Sequence, residues 1–292
     1  MRLLALLLLA PVLAAAQTMD PRAYANLPVG LNFLLAGYTY VEGEVGFDAS
    51  SPLQDGRTRV HALPVGYVRS LDVFGKAGNI ALVVPFVDLT ATASLNGTTE
   101  ARRDVSGLAD PTLRLAVNFY GAPALRLAEY AGWRQDLIGG ASLAVTAPFG
   151  QYDKDRLANI GANRWSVKPE LGVSQALGAW TVELAAGVTW FTRNDEFFNG
   201  NTREQDPLYS LQTHITRQFG ARAWGALSVT YFDGGRTSIN GVEQGEKLGG
   251  TRLGLTFSLP VDPRNSIRLS ARTGSDFKGL AALWQHVWAA AP

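Results

Sequence analysis

Cysteine is absent from the 292-residue sequence, which excludes a disulfide framework, a thiolate nucleophile and a cysteine-ligated metal site. Charged residues make up only 17% of the chain and the formal net charge is +1, whereas a nucleic-acid-binding protein would present a strongly basic face. The three histidines, His61, His214 and His286, lie in no recognisable nucleophile motif and lack the paired spacing of a metal site. We therefore predict no nucleic-acid partner, no cofactor, no metal and no catalytic residues, and we expect a protein that is not an enzyme.

Long apolar runs are also absent beyond the N-terminus. No later stretch has 18 uninterrupted apolar residues, so a helical membrane protein is excluded. At the N-terminus, an apolar run at 3–12 follows Arg2 and precedes three alanines at 14–16, which is typical of a cleaved secretory signal. The sequence therefore predicts a signal peptide at 1–16 and one mature domain at 17–292.

Alternating polarity is the most informative feature that the chain does contain. Between Trp180 and Trp190, one parity of the sequence is wholly apolar and carries an indole at each end. As a strand, this segment separates the two indoles by about 34 Å, which a tilt of about 40° projects to roughly 26 Å. That length matches the apolar band of an outer-membrane barrel, whose aromatic residues lie at the two lipid interfaces. We expect Trp180 and Trp190 to be such interface residues.

Similar segments recur to the C-terminus and predict a transmembrane antiparallel up-and-down β-barrel of about twelve strands. The predicted strands are 31–41, 59–72, 79–93, 108–119, 137–148, 165–177, 180–193, 207–219, 223–233, 249–260, 265–273 and 280–289. Long polar gaps alternate with short ones, which is typical of outer loops and periplasmic turns and places both termini in the periplasm. The gap at 120–136 is long although it falls on the periplasmic side, and we expect a short helix there.

Soluble β-proteins alternate as well, but their outward parity is charged. Here threonine, serine, glycine, asparagine and glutamine dominate the polar parity, which suits a wet lumen better. The charged or titratable side chains predicted to face that lumen are Arg114, Lys168, Glu170, Glu183, His214, Arg252, Arg268 and Arg272. They could line a solute path, or they could pair across neighbouring strands to fill a narrow barrel.

Several segments resemble a family of outer-membrane transporters described by the MetA pathway of phenol degradation. The segments that carry the resemblance are 21–24 (PRAY), 28–33 (PVGLNF), 66–69 (GYVR), 81–87 (ALVVPFV), 109–115 (ADPTLRL), 121–125 (GAPAL), 147–153 (APFGQYD), 159–172 (NIGANRWSVKPELG) and 205–208 (QDPL). The resemblance covers almost the whole mature chain, and the Asn163-Arg164-Trp165 block is its most specific part. It implies a barrel that admits aromatic or other small hydrophobic compounds.

The leading hypothesis is thus a passive channel in the bacterial outer membrane, in contact with membrane lipid and a small-molecule solute. The alternatives are a barrel-embedded lipid hydrolase with His214 as its base, and a structural barrel with a plugged interior. In the outer loop that precedes Trp165, we expect Arg164 to pair with Asp153 or Asp155 and anchor the loop over the mouth. The sequence indicates neither the solute nor the oligomeric state.

Overall fold

The computed structural model describes residues 20–45, 53–95, 99–220, 222–245, 247–275 and 277–289. The signal-peptide prediction concerns residues outside this part of the chain and stays a prediction. Within the described ranges, no helix is long and apolar enough to cross a membrane.

Twelve antiparallel strands form a closed barrel, as the sequence predicted. They are β1 (Leu31–Val45), β2 (Leu53–Val73), β3 (Lys76–Leu95), β5 (Thr112–Tyr120), β6 (Leu137–Thr146), β7 (Ser166–Leu177), β8 (Trp180–Phe191), β11 (Leu208–Phe219), β12 (Ala223–Gly234), β15 (Leu248–Pro260), β16 (Asn265–Thr273) and β17 (Phe277–Ala289). Each pairs with the next barrel strand along the chain, and β17 pairs with β1 to close the wall. Closure leaves no barrel strand without a partner on either side.

The two ends of the barrel differ. At one end, here called the turn end, tight connections join β2 to β3, β7 to β8, β11 to β12 and β15 to β16. Phe74 and Gly75, with φ of 53° and 77°, make the β2–β3 turn, where the Asp72 carboxylate accepts a hydrogen bond from the Gly75 amide at 2.7 Å. Positive φ at both central residues matches the twist of a tight hairpin. β1 begins and β17 ends at this same end.

The opposite end, here called the loop end, contains more β-structure than we expected. The predicted loop at 94–107 was wrong in part, because β4 (Thr99–Leu108) pairs with the outer half of β3 and forms a long hairpin. The predicted gaps at 194–206 and 234–248 contain the short strands β9 (Asn194–Phe197), β10 (Asn201–Gln205), β13 (Thr237–Ile239) and β14 (Val242–Gln244), which form a separate sheet. The gap at 120–136 contains the expected short helix, α1 (Leu127–Tyr130).

Side chains alternate across the wall as the sequence pattern predicted. In β8, Trp180, Leu184 and Trp190 are exposed on the outer surface, whereas Glu183 and Ala185 are buried inside. A strand places successive side chains on opposite faces, so the outer parity meets lipid and the inner parity meets the lumen. The placement of the two tryptophans at the lipid interfaces stays a prediction.

Residues 20–30, here called the N-terminal segment, fold back into the barrel from the turn end. The Val29 amide donates to the Leu125 carbonyl at 2.8 Å, and the Gly30 amide donates to the Ser70 carbonyl at 3.3 Å. From there the segment runs inside the barrel, where Tyr24 is fully buried. The sequence analysis did not predict this internal segment.

Candidate functional site

The lumen has two unlike walls. On β1, β2, β3 and β17 the inward side chains are largely apolar, with Leu35, Val60 and Val83 among them. On β7, β8, β11, β12, β15 and β16 most of the inward side chains are polar or charged, with Ala185, Trp224 and Ala226 among the exceptions. The apolar wall was missed, although residues 80–87 offered a signal because both of their parities are apolar. A strand without a polar parity meets an apolar environment on both faces.

The polar wall holds the N-terminal segment. The Arg22 amide donates to Glu183 Oε2 at 2.6 Å, while Glu183 Oε1 accepts from the Ser174 hydroxyl at 3.1 Å. The Tyr24 hydroxyl donates to Glu170 Oε1 at 3.3 Å, and the Asn118 amide donates to the Tyr24 carbonyl at 3.1 Å. Both predicted lumen glutamates therefore bind this segment.

Two glycines make room for the Tyr24 ring. Gly140 on β6 and Gly172 on β7 are register partners, and the ring lies against both. A Cβ atom on Gly172 would lie 2.1 Å from the Tyr24 ring, and one on Gly140 would lie 2.4 Å from it. The absence of side chains at these positions creates the slot that the tyrosine occupies.

Two cationic side chains, Lys168 and Arg114, also lie beside this slot. Lys168 Nζ lies 2.8 Å from Glu170 Oε2, and the Gln212 amide donates to the same oxygen at 3.1 Å. The Arg114 guanidinium lies over the Tyr24 ring, 5.9 Å from its centroid. Lys168 and Glu170 thus form an ion pair within one strand, whereas one of the two alternatives for these charges was pairing across neighbouring strands.

Higher in the barrel, an arginine cluster binds the start of the N-terminal segment. Arg272 Nη2 lies 2.9 Å from Asp20 Oδ1, and Arg268 Nη1 lies 3.4 Å from Asp20 Oδ2. Arg252 is buried, with its guanidinium 4.4 Å from the Phe232 ring centroid and 4.8 Å from that of Phe277. Arg252, Arg268 and Arg272 therefore all face the lumen and line the central cavity.

His214 is buried in the polar wall, with its Nδ1 atom 2.7 Å from the Ser228 hydroxyl. Its Nε2 atom has no hydrogen-bond partner among the described residues, and Asp20 is bound to arginines instead. A hydrolytic triad needs a carboxylate that orients the second nitrogen of the imidazole. The cavity beside His214 measures only 20 Å³, so this site offers no room for a lipid ester.

Three larger cavities follow one another along the lumen. A vestibule of 600 Å³ lies at the loop end, a central cavity of 370 Å³ follows, and a lower cavity of 480 Å³ lies towards the turn end. Phe277 lines both the vestibule and the central cavity, whereas Asp20 and Arg268 line both the central and the lower cavity. Arg22 and other residues of the N-terminal segment form part of the lower cavity wall. Side chains at these two boundaries therefore separate successive compartments of one path.

The loops over the mouth are anchored differently from our expectation. Arg164 is buried, donates from Nη2 to the Gln205 side-chain oxygen, and lies 4.4 Å from the Phe191 ring centroid. Burial lowers the pKa of Arg164 well below its usual value. The expected pair with Asp153 or Asp155 was wrong, because Arg164 is directed into the barrel mouth above β8. Arg164 contacts Gln205 instead, and its role as the anchor of the loop stays a prediction.

Each aspartate of the expected pair has a cation close to it in the loops. Asp153 Oδ2 lies 3.8 Å from Arg103 and 3.9 Å from Arg156, and Asp155 Oδ1 lies 3.2 Å from Lys154 Nζ. These distances between exposed groups indicate weak ion pairs.

Asp110 is a further loop anchor that the sequence analysis missed. Its two carboxylate oxygens accept hydrogen bonds from the Gly150 and Ala162 amides, each at 2.8 Å. Burial raises the pKa of Asp110, although these two donors and Arg164 act in the opposite direction. No local signal identifies this anchor, because its two partners lie 40 and 52 residues away in the sequence.

Solved structures with this fold include outer-membrane channels and transport domains. The COG4313 outer membrane channel from Pseudomonas putida F1 has a TM-score of 0.77 at 21% identity, covering 93% of this chain and 100% of that one. The transport unit of the autotransporter AIDA-I from Escherichia coli has a TM-score of 0.55 at 6% identity, covering 95% and 94%. The beta domain of the Bordetella autotransporter BrkA has a TM-score of 0.54 at 11% identity, covering 89% and 100%.

No curated protein sequence matches this chain significantly. The family model described as "Putative MetA-pathway of phenol degradation" matches residues 44–280, which is most of the barrel. The chain therefore belongs to the phenol-degradation MetA family of outer-membrane β-barrels.

Proposed function

We propose that the protein is a passive outer-membrane channel for small hydrophobic and aromatic solutes. The central cavity carries this proposal, because most of its lining is apolar. Its apolar side chains include Leu35, Val60, Val83, Val87, Ile160 and Leu283. A water-filled porin has a polar interior, whereas this wall favours solutes that leave water readily.

The size of the cavity supports a one-ring solute. Its volume of 370 Å³ lies in the usual range of small-molecule sites. A dry apolar cavity of about 150 Å³ is enough for benzene. A single aromatic ring with a short substituent therefore fits, and the similarity of the fold to the COG4313 outer membrane channel supports transport.

The direction of transport follows from the two ends of the barrel. Long hairpins at the loop end are typical of the cell exterior and tight turns are typical of the periplasm. Solute would thus enter through the vestibule, pass Phe277 into the central cavity, and leave along the N-terminal segment. The start of β1 and the end of β17 would lie on the periplasmic side.

A pair of tryptophan substitutions on β2 tests this path. Ala62 lines the central cavity, whereas the adjacent Leu63 is exposed on the outer surface. In proteoliposomes, Ala62→Trp should reduce benzyl alcohol flux about tenfold or more, because the indole fills the cavity, and Leu63→Trp should leave flux unchanged. Equal flux through both variants and the unsubstituted protein would contradict the proposal.

The N-terminal segment favours a second candidate, a plugged barrel with a structural role. It fills part of the lumen and makes hydrogen bonds to β5, β7 and β8. In that case the unsubstituted protein would conduct no small solute, and removal of residues 20–26 would open a pore. The channel proposal requires flux with the segment present.

A further inference from the structure

The central cavity combines an apolar wall with a cluster of guanidinium groups. Its lining includes Val60, Val83 and Leu283 as well as Arg252, Arg268 and Arg272, and Leu283 is the register partner of Arg268. Guanidinium groups form charge-assisted hydrogen bonds with carboxylates. A solute that carries a carboxylate on an apolar ring would therefore match both parts of this lining.

Acidic residues on this cavity are fewer than the arginines. Among its described lining residues, the acids are Asp20 and Asp110. Asp110 is engaged elsewhere, because both of its oxygens accept backbone hydrogen bonds. Asp20 is thus the one lining carboxylate that reaches the arginine cluster in the described part of the chain.

Asp20 shows which chemical group the cluster accepts. Its carboxylate bridges two guanidiniums, with Arg272 at 2.9 Å and Arg268 at 3.4 Å. Although it lies deep in the barrel, its side chain is 53% exposed, since one side faces the open cavity. Burial raises the pKa of Asp20, but Arg272 and Arg268 outweigh this effect and hold it below its usual value. An anionic carboxylate is therefore stable here at neutral pH.

The position of Asp20 also makes it replaceable. It belongs to the N-terminal segment and to no strand, so it can leave without disturbing the wall. Its contact with Arg268 is long for a charge-assisted hydrogen bond, which is usually 2.7–2.9 Å. A solute carboxylate in the central cavity could make closer contacts to the same groups.

We propose that the central cavity is a binding site for small one-ring carboxylates, which replace Asp20 at Arg268 and Arg272 while the ring packs against the apolar wall. Arg252 lies beside Phe277 at the boundary with the vestibule and is the first of the three cations that such a solute meets. Asp20 acts as a tethered competitor that occupies the arginines when the cavity is empty. This inference rests on the proposed channel function and specifies its substrate class.

Benzoate and benzamide are suitable probes, since they differ in charge but hardly in shape. Equilibrium dialysis of the folded, detergent-solubilised protein at pH 7 measures binding, and flux into proteoliposomes measures transport separately. We expect benzoate to bind at least tenfold more tightly than benzamide, because charged hydrogen bonds to two guanidiniums favour the anion.

Substitutions then separate recognition from a merely structural role. Arg272→Gln should weaken benzoate binding about tenfold and leave benzamide binding unchanged, whereas Arg272→Lys should retain part of the preference. Asp20→Asn should strengthen benzoate binding, because the tethered competitor is removed, without strengthening benzamide binding. Arg217→Gln removes an exposed arginine from the outer surface of β11 and should change neither. Heat-modifiable migration confirms that each variant is folded.

The two proposals fail in different ways. The carboxylate site would be overturned if benzoate and benzamide bound equally well, even if both solutes crossed the membrane. It would also be overturned if Arg272→Gln and Asp20→Asn changed the binding of both probes equally. Selective benzoate binding without flux of either solute would uphold the site and contradict the channel. An increase in the binding of both probes by Asp20→Asn would mean that Asp20 only fastens the N-terminal segment.

Discussion

A methyl group at position 172 should release the N-terminal segment from the lumen. In Gly172→Ala, the new Cβ would lie 2.1 Å from the Tyr24 ring. Carbon atoms at rest lie at least about 3.5 Å apart, so the ring would have to move by about 1.4 Å. It has little space to do so, because it is fully buried and its other edge lies against Gly140.

The magnitude follows from the cost of overpacking a filled site, about 1–3 kcal/mol. Applied to the equilibrium between the docked and undocked segment, this cost raises the undocked fraction by about 5- to 150-fold. If the Tyr24 ring left the slot altogether, the loss of its buried contacts would cost about 3–5 kcal/mol, as the truncation of a large buried aromatic side chain does. The expected effect is therefore displacement of the ring with partial undocking, while the barrel stays folded.

The cysteine-free sequence allows a direct assay. Ala23 is partly buried beside Tyr24, so Ala23→Cys would react slowly with a bulky maleimide while the segment is docked. Gly172→Ala in that background should increase the labelling rate at least fivefold. Gly254→Ala is the matched control, because its Cβ would come no closer than 3.4 Å to any neighbour.

A double-mutant cycle gives the decisive result. Once Tyr24→Ala has emptied the slot, Gly172→Ala should add little further undocking, so the two changes should be strongly non-additive. Unchanged labelling in Gly172→Ala, or full additivity with Tyr24→Ala, would refute the packing argument.

Three other predictions concern the wall, the mouth and pH. Leu184→Arg on the lipid-facing surface should lower the free energy of unfolding in bilayers by about 2–4 kcal/mol, as measured by urea titration. Arg164→Ala and Gln205→Ala should both increase protease cleavage of the outer loops, whereas Asp153→Asn should not; the reverse result would restore the pair expected from sequence. Because the pKa of Asp20 is lowered, its contribution to docking is present above about pH 4 and is lost as pH falls below that value. The Asp20-dependent part of Ala23→Cys protection, taken as the difference from the Asp20→Asn background with the same thiol reagent, should therefore be constant from pH 5 to 8.

Most of the wall could be predicted from the chain alone. Trp180 to Trp190 alternates over a length set by the bilayer, so both the strand and its lipid-facing parity follow from local pattern. The same rule placed Arg114, Glu183 and Arg272 inside. The hairpin of β3 with β4 was missed because turn-rich polar segments are typical of loops, and its strand pairing occurs beyond the membrane, where no lipid enforces alternation.

The contents of the lumen depend on residues that are distant in sequence. Gly140 and Gly172 form a slot only because β6 and β7 pair in a particular register, and nothing near Tyr24 indicates that slot. Arg164 had two aspartates nearby in the chain, yet it contacts Gln205 because the mouth brings that residue beneath it.

Local sequence periodicity was therefore sufficient for the strands, their lipid-facing sides and the polar residues that point inward, because each of these depends on neighbours within one strand. Barrel closure brought an apolar wall and an arginine cluster to one cavity, and chain reversal at the turn end brought Asp20 to those arginines. Neither arrangement is encoded in any single segment, since each depends on strand register and on the curvature that closes the sheet.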